Sequence, residues 1–227
     1  MVDMTTSPGS IAAVVFDMDG VLTDTETVWD EVRRGLAAED GVPWPDGATE
    51  AMMGMSTPEW ADYLATTVGI SGDPAERTIE AMAARHRVHL PTLPGAVEAV
   101  RRLAAVWPLG VASSSPRRLI DSSLETLGIA ALIRVSVSTE EVAAGKPAPD
   151  GFLRACELLG VAPGNAVAIE DSSNGLRSAS AAGMKVIAVP HEAFPPAPDA
   201  LALADLVVGS LDEVTVEAVH KPCENGD

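Results

Sequence analysis

Residues 11–24 read IAAVVFDMDGVLTD, and this stretch decides the fold. Six apolar residues end in two carboxylates, Asp17 and Asp19, which are followed by Gly20. A short apolar run bounded by a turn signal predicts a buried strand, and the glycine lets the chain turn so that both carboxylates face one pocket. Because open α/β sheets bind ligands at the carboxyl ends of their strands, the pair indicates either a ligand site or an Asp-rich solvated turn.

Short β-rich runs recur along the rest of the chain and alternate with helical patterns. Five further strands are predicted at residues 109–112, 134–138, 166–169, 185–189 and 206–208, with helices at 96–106, 117–127, 151–159 and 174–182. Strands that alternate with helices of this length indicate βαβ units. We therefore predict an α/β fold with a doubly wound, mainly parallel, Rossmann-like sheet.

Residues 25–90 interrupt this alternation, because they contain helical patterns and no convincing strand. The predicted helices span 26–39, 58–68 and 74–88. An insert at this place would overhang the carboxyl edge of the sheet and act as a lid, and the alternative is a helical hairpin that only adds stability. We predict an α/β core domain of residues 1–24 and 91–227 that carries a helical cap domain of residues 25–90.

Composition and charge exclude several classes of protein. The chain has 227 residues, of which 47% are hydrophobic, and a formal net charge of -18. A chain this acidic without a basic stripe is not expected to bind nucleic acid. Two cysteines argue against a disulfide framework, and no signal peptide or membrane-spanning stretch is evident. We predict a cytoplasmic protein that binds no membrane and is a monomer or a weak homodimer.

Three further strand ends carry polar residues at the same predicted edge of the sheet. The second strand is followed by SSSP at residues 113–116, which is either an anion-binding helix start or an ordinary serine cap. Lys146 follows the third strand in the sequence GKP, where a fixed countercharge is favoured over a solvated lysine. The fourth strand ends in Glu170 and Asp171.

The carboxylates of these strand ends form a candidate magnesium site. Asp17, the backbone carbonyl of Asp19, Glu170 and Asp171 are hard oxygen ligands of the kind that Mg²⁺ prefers. Cysteine and histidine are absent from the set, which disfavours zinc. Unit charges about 4 Å apart interact by about 4 kcal/mol at an effective dielectric constant near 20, so Mg²⁺ and Lys146 would offset the repulsion among the carboxylates.

The ordered set of motifs resembles a known family. The sequence DMDGVLTD at residues 17–24, then Ser113, then Lys146, then the pair at residues 170–171 is similar to the four motifs of the haloacid dehalogenase superfamily of phosphotransferases. The helical insert resembles the cap of the branch that holds phosphoglycolate phosphatase-like enzymes and β-phosphoglucomutase. The resemblance covers about residues 11–208.

This resemblance implies a Mg²⁺-dependent phosphatase that hydrolyses a small phosphate ester, a sugar phosphate or a phosphorylated short acid, through an aspartyl-phosphate. Asp17 would be the nucleophile and Asp19 the general acid and base. Four residues are implied in binding the phosphoryl group, namely Ser113, Ser114, Lys146 and Gly20. Four are implied in binding the metal, namely Asp17, Asp19, Glu170 and Asp171. Four residues of the insert are candidates for substrate specificity, namely Gly54, Met55, Ser56 and Thr57.

Departures from the family's patterns separate related reactions. Where β-phosphoglucomutase has a cap arginine after a Gly-x-Ser turn and a hinge histidine, this chain has Thr57 and Trp29, which weakens the phosphomutase alternative. Residues 25–90 contain no lysine for the Schiff base of phosphonatases, and haloacid dehalogenases lack the second aspartate that Asp19 supplies. A phosphoacceptor regulatory domain has its phosphorylated aspartate on an interior strand and has no helical insert. A phosphatase is favoured, and a phosphomutase stays open.

Several aromatic residues and two histidines of the insert lie outside these motifs. The aromatic side chains are expected to pack a small helical core, with a substrate pocket as the alternative: Trp29, Trp44, Trp60 and Tyr63. His86 and His89 lie in a segment expected to be exposed and lack a third ligand, so no metal is predicted there.

Overall fold

Six parallel strands form the sheet of the computed structural model, which describes residues 10–52, 55–192 and 195–220. The strands are β1 (Ala13–Phe16), β2 (Leu109–Ser113), β3 (Ile133–Ser138), β4 (Ala166–Glu170), β5 (Lys185–Ala188) and β6 (Leu206–Val207). Their spatial order is β3-β2-β1-β4-β5-β6, so the winding direction reverses between β1 and β4. The predicted doubly wound, parallel α/β class is confirmed.

Helices cover the sheet and fill the segment between β1 and β2. The inserted helices are α1 (Glu26–Glu39), α2 (Ala48–Met52), α3 (Thr57–Tyr63), which continues as a π-helical turn at Leu64–Val68, and α4 (Pro74–Val88). The later helices are α5 (Ala96–Ala104), α6 (Arg117–Thr126), α7 (Asp150–Leu159), α8 (Ser173–Ala181), α9 (Pro198–Leu201) and α10 (Val216–His220). The sequence analysis missed α2, because five residues are too few to show a helical period. None of the described helices has the length and apolar character needed to cross a bilayer.

Strand β1 is buried on both faces of the sheet. Its alternate residues divide between two apolar clusters: Val14 and Phe16 join the cluster that contains residues of α5 and α6, and Ala13 and Val15 join the one that contains residues of α7 and α8. A parallel strand covered on both faces has no solvent side that requires polar residues. This burial explains why the sequence of the strand is an unbroken apolar run.

The inserted helices enclose an apolar cluster of their own. Trp29 and Trp60 belong to it, with ring centroids 5.9 Å apart, as expected for a small helical core. Met82 of α4 is fully buried in the same cluster. Leu119 of α6 also belongs to it, so the inserted helices and the sheet layer share apolar contacts.

His86 is buried because α4 packs against α6. The residue is 4% exposed, and its Nδ1 lies 3.4 Å from Oγ of Ser123. An ion pair of 3.2 Å between Glu76 and Arg118 joins the same two helices. The expectation of an exposed segment is therefore wrong for His86, although His89 is exposed.

Candidate active site

The carboxyl ends of β1 and β4 meet where the winding of the sheet reverses. Phe16 is the register partner of Ile169, and the backbone N–H of Asp17 donates to the carbonyl oxygen of Ile169 at 2.9 Å. Ligands of open α/β sheets bind at such a reversal point. The strand ends thus place Asp17 beside Glu170 and Asp171, as predicted from their positions directly after apolar strands.

These three carboxylates form one buried acidic cluster. Each offers an oxygen, and the three oxygens lie within 4.8 Å of one another. The exposed fractions are 6% for Asp17, 0% for Glu170 and 7% for Asp171. Burial raises the pKa of Asp17 to about 8, and burial together with the charge of Glu170 raises the pKa of Asp171 well above its usual value. Such a cluster is unstable unless positive charge compensates it.

Lys146 supplies part of that positive charge. Its Nζ donates to Oδ1 of Asp17 and to Oε1 of Glu170, each at 2.6 Å, and its side chain is 6% exposed. Burial lowers the pKa of Lys146, but the two carboxylates outweigh burial and hold the pKa above its usual value. The lysine is therefore charged, and a single positive charge faces three carboxylates.

The acidic cluster fits a hard divalent cation. Oδ1 of Asp171 is buried and has no hydrogen-bond partner among the described residues. Both oxygens of Glu170 already accept hydrogen bonds, Oε1 from Lys146 and Oε2 from the backbone N–H groups of Asp171 and Ser172. A buried carboxylate oxygen without a donor is one that a cation satisfies, and an all-oxygen set suits Mg²⁺. Asp17 and Asp171 are the residues best placed to hold the ion directly.

Gly20 determines how closely the chain after Asp19 approaches this cluster. Its φ is 85°, and its N–H donates to the carbonyl oxygen of Thr23 at 2.7 Å, which closes the turn. A Cβ at this position would lie 2.1 Å from Oδ2 of Asp171. Only glycine accommodates both the left-handed backbone and the close approach.

Gly20→Ala is expected to weaken Mg²⁺ binding by roughly tenfold or more, because the added methyl displaces the carboxylate of Asp171. Backbone strain at positive φ adds about 1 kcal/mol of destabilisation. Titration calorimetry with MgCl₂ and thermal denaturation measure the two effects. Gly41→Ala is the matched control, since its φ is 68° and nothing lies within 4 Å of the added Cβ. Equal Mg²⁺ affinities in the two variants would contradict the role assigned to Gly20.

The carboxylate of Asp19 accepts hydrogen bonds from hydroxyl groups and is not part of the acidic cluster. Its Oδ1 accepts from Oγ1 of Thr25 at 2.5 Å, and its Oδ2 accepts from Oγ of Ser115 at 2.6 Å. The same carboxylate lines a small cavity beside α1. A carboxyl group that lies next to Asp17 but outside the cluster is suited to proton transfer.

A cavity of about 340 Å³ opens over the cluster and is bounded by the strand ends and by α1. Five residues predicted from the sequence line it, namely Asp17, Asp19, Ser114, Lys146 and Asp171. Five polar residues that line it were missed, namely Glu26, Ser172, Ser173, Asn174 and His191. Asn174 and His191 follow β4 and β5 at the same sheet edge, so their positions after strand ends were the available signal.

The two serines predicted to bind phosphate differ in their surroundings. Ser114 lines the cavity, whereas Ser113 is 1% exposed and its hydroxyl accepts from the backbone N–H of Ser115 at 3.0 Å. The hydroxyl of Ser113 also lies 3.4 Å from Oδ2 of Asp19. Its direct contact with a phosphoryl group stays a prediction.

Of the four specificity candidates of the insert, one lines a cavity beside the site. Met55 lines the small cavity beside α1. Ser56 is the N-cap of α3, where its N–H and its hydroxyl both donate to the carboxylate of Glu59, at 2.8 and 2.6 Å. Thr57 is 8% exposed, and Gly54 lies outside the described residues.

Comparison with known proteins agrees with this geometry. Residues 11–183 match the family model of the haloacid dehalogenase-like hydrolases, and the chain belongs to that family. A validoxylamine A 7′-phosphate phosphatase of Streptomyces hygroscopicus subsp. limoneus is 34% identical over 210 residues, which cover 88% of this chain and 94% of the relative. Hexitol phosphatase B of Escherichia coli K12 is 32% identical over 228 residues, which cover 93% and 97%.

A solved structure extends the likeness to the whole fold. The β-phosphoglucomutase of Clostridium difficile has a TM-score of 0.80 and 25% identity, over 94% of this chain and 97% of that one. The predicted family and branch are confirmed. Within its family the chain is a phosphoric monoester hydrolase, as the four motifs predict.

Proposed function

We propose that this protein is a Mg²⁺-dependent phosphatase that hydrolyses a small phosphorylated metabolite, a sugar phosphate or a phosphorylated short acid, through an aspartyl-phosphate. The observation that carries the proposal is the buried cluster of three carboxylates, two of which contact one lysine, with an oxygen on Asp171 that has no partner among the described residues. In this proposal residues 1–24 and 91–227 are the core domain, and residues 25–90 are the cap domain that covers the site.

Asp17 is the nucleophile in this proposal. Lys146 donates to Oδ1, and no donor among the described residues engages Oδ2, so Oδ2 is the oxygen that attacks phosphorus. A bound Mg²⁺ supplies positive charge that offsets the repulsion between the carboxylates and the phosphoryl group. Lys146 orients Asp17, and Ser113, Ser114 and the backbone at Gly20 contact the phosphoryl oxygens.

Asp19 moves the proton in both steps. In the first step its carboxyl group protonates the leaving oxygen as the bond between phosphorus and that oxygen breaks. In the second step the resulting carboxylate takes a proton from the water that attacks the aspartyl-phosphate. The hydroxyls of Thr25 and Ser115 support this role because they fix the carboxyl group beside Asp17.

A phosphomutase is the second candidate, because the fold is shared with the β-phosphoglucomutase of Clostridium difficile. Trp29 stands where the mutase pattern has its hinge histidine, and it is 6% exposed and packed on Trp60. An indole cannot transfer protons as an imidazole does, which favours hydrolysis. Product analysis with a sugar phosphate and a bisphosphate activator separates the two, since a mutase yields an isomer and a phosphatase yields free phosphate.

A phosphate-release screen tests the proposed reaction. The full chain is incubated with a panel of sugar phosphates, polyol phosphates and phosphorylated acids, with MgCl₂ and then with excess EDTA. We expect free phosphate from at least one class of ester, and loss of release on chelation. Absence of release from every ester in the presence of Mg²⁺ would overturn the proposal.

Mg²⁺ is expected to raise the melting temperature of the protein, because the ion binds the folded acidic cluster and not the unfolded chain. At a hundred times the Kd the stabilisation is about 2.7 kcal/mol. Asp171→Asn removes one ligand charge and is expected to abolish most of the shift in a thermal melt. Asp62→Asn, on the exposed side of α3, is the control and keeps the full shift. A wild-type melt that does not respond to Mg²⁺ argues against the metal site.

A further inference from the structure

Arg33 of α1 is a buried cation that has no hydrogen-bond partner in the part of the chain that the structure describes. The residue is 8% exposed, and its Nε is buried with no hydrogen-bond partner among the described residues. Its guanidinium carbon lies 4.9 Å from the ring centroid of Trp29 and 5.1 Å from that of Trp60. Burial lowers the pKa of Arg33 to about 10, so the group stays charged at neutral pH.

A planar guanidinium normally uses its N–H donors on carboxylate or carbonyl oxygens when it is buried. No ion pair within 4.0 Å and no hydrogen bond of Arg33 to another described residue is present. The indole rings stabilise the charge from their faces, but they satisfy none of the donors. Unpaired buried donors destabilise the protein, and a ligand with oxygen acceptors removes this destabilisation when it forms hydrogen bonds with them.

The position of Arg33 connects it to the proposed catalytic centre. It lines a cavity of about 70 Å³ together with Asp19, Glu26, Ser114 and Ser115. Asp19, Glu26 and Ser114 also line the larger cavity above the acidic cluster. A phosphate ester whose phosphorus lies at Asp17 therefore has Arg33 on the side of its leaving group.

Glu26 gives the same cavity a hydrogen-bond acceptor. Glu26 and Arg33 are seven residues apart on α1, which places them on one face of the helix two turns apart. Burial and the charge of Asp19 raise the pKa of Glu26 to about 7, although the charge of Arg33 lowers it, so the carboxyl group of Glu26 is close to other negative charge. A second anionic group on the substrate would face Asp19 and Glu26, whereas a hydroxyl group can accept from Arg33 and donate to Glu26.

We propose that Arg33 and Glu26 form the specificity subsite for the leaving group, and that this leaving group is an uncharged polyhydroxylated chain or ring. The indole faces of Trp29 and Trp60 fix the guanidinium so that its donors are oriented before the substrate binds. The inference rests on the proposed function and narrows it from phosphorylated metabolites in general to phosphorylated polyols and sugars. It places a phosphorylated short acid among the poor substrates.

The test compares three esters with Mg²⁺: a hexitol 6-phosphate, phosphoglycolate, and p-nitrophenyl phosphate, whose leaving group has no hydroxyl chain. For each protein the kcat/KM for the hexitol ester is divided by the kcat/KM for the nitrophenyl ester. Arg33→Met is expected to lower this ratio by roughly tenfold or more, because a hydrogen bond to a charged group is lost. Glu26→Gln is also expected to lower this ratio of kcat/KM values.

Arg34→Met is the matched control on the same helix. Arg34 is half-exposed, and its Nε donates to Oδ2 of Asp30 at 2.6 Å. Its removal is expected to leave the ratio unchanged. Arg33→Lys keeps the charge without the planar fork and provides the same measurement if Arg33→Met does not fold; a partial loss of the ratio is expected.

Three results separate success from failure. A ratio unaffected by Arg33→Met and Arg33→Lys overturns the subsite. A wild-type preference for phosphoglycolate that is lost in Arg33→Met overturns the uncharged leaving group in favour of a carboxylate. If the wild type releases no phosphate from any ester, including the nitrophenyl ester, the proposed phosphatase function is wrong. The proposed subsite, which rests on that function, is then wrong as well.

Discussion

Asp17→Asn is expected to abolish turnover while the fold stays intact. The amide keeps the shape of the side chain but is not a nucleophile toward phosphorus, so we expect kcat to fall by about 10⁴-fold or more. The same change removes one of three crowded negative charges. Because burial raises the pKa of Asp17 to about 8, a neutral group is tolerated at this position, and we expect the metal-free variant to melt no lower than the wild type.

Phosphate release under saturating Mg²⁺ measures the first effect, and circular dichroism melts in EDTA measure the second. Asp46→Asn makes the same chemical change at an exposed turn and serves as the control. If the kcat of Asp17→Asn were within tenfold of the wild-type value, Asp17 would not be the nucleophile. A lower melting temperature in EDTA would contradict the charge crowding described for the cluster.

Lys146→Met is expected to be the most destabilising single change at the site. Its Nζ contacts two carboxylates at 2.6 Å, and all three side chains are buried. Removing one partner of a buried ionic group costs about 3–5 kcal/mol, since the remaining charges lose their compensation. We expect urea denaturation in EDTA to show a loss of this size, and Mg²⁺ to restore part of it by supplying the missing positive charge.

Lys185→Met separates this effect from the general loss of a lysine. Lys185 lies 3.8 Å from Asp205 with a third of its side chain exposed, and such pairs contribute about 0–1 kcal/mol. Activity is expected to fall by roughly 10²-fold or more in Lys146→Met, because the nucleophile loses its orientation and the phosphoryl oxygens lose a cation. If both variants lost the same free energy of unfolding, the burial of Lys146 would not make its ion pairs more stabilising than the exposed pair of Lys185.

The strand ends were predictable from the sequence because their signal is local. An apolar run that stops at a carboxylate indicates both the strand and the edge to which it points, so the sequence alone assigns Asp17, Glu170 and Asp171 to one site. Lys146 was assigned by its place after a strand, between a glycine and a proline. The parallel α/β class also follows from local alternation of strands and helices, whereas the order of the strands in the sheet does not.

Contacts between distant elements could not be predicted in this way. The shorter serine hydrogen bond to Asp19 comes from Ser115 in the loop after β2, and nothing in the sequence shows which of three consecutive serines makes it. Arg33 follows the helical pattern of a surface residue beside Arg34, yet the packing of Trp60 against α1 buries it. His86 was misjudged for the same reason, since only the docking of α4 on α6 covers it.

The central place of β1 in the sheet has a consequence for synthesis of the chain. Asp17 and Lys146 are 129 residues apart, and β1 bonds to β4, which comes later still. Ribosomes add about 5–20 residues per second, so on the order of ten seconds separate the emergence of the strand from that of its partners. Until β2 has emerged the apolar segment has no neighbouring strand, and until β4 has emerged one edge of β1 stays unpaired. We expect the nascent chain to require shielding of its first strand until β2 emerges, and the pairing of β1 to be complete only when β4 has left the ribosome.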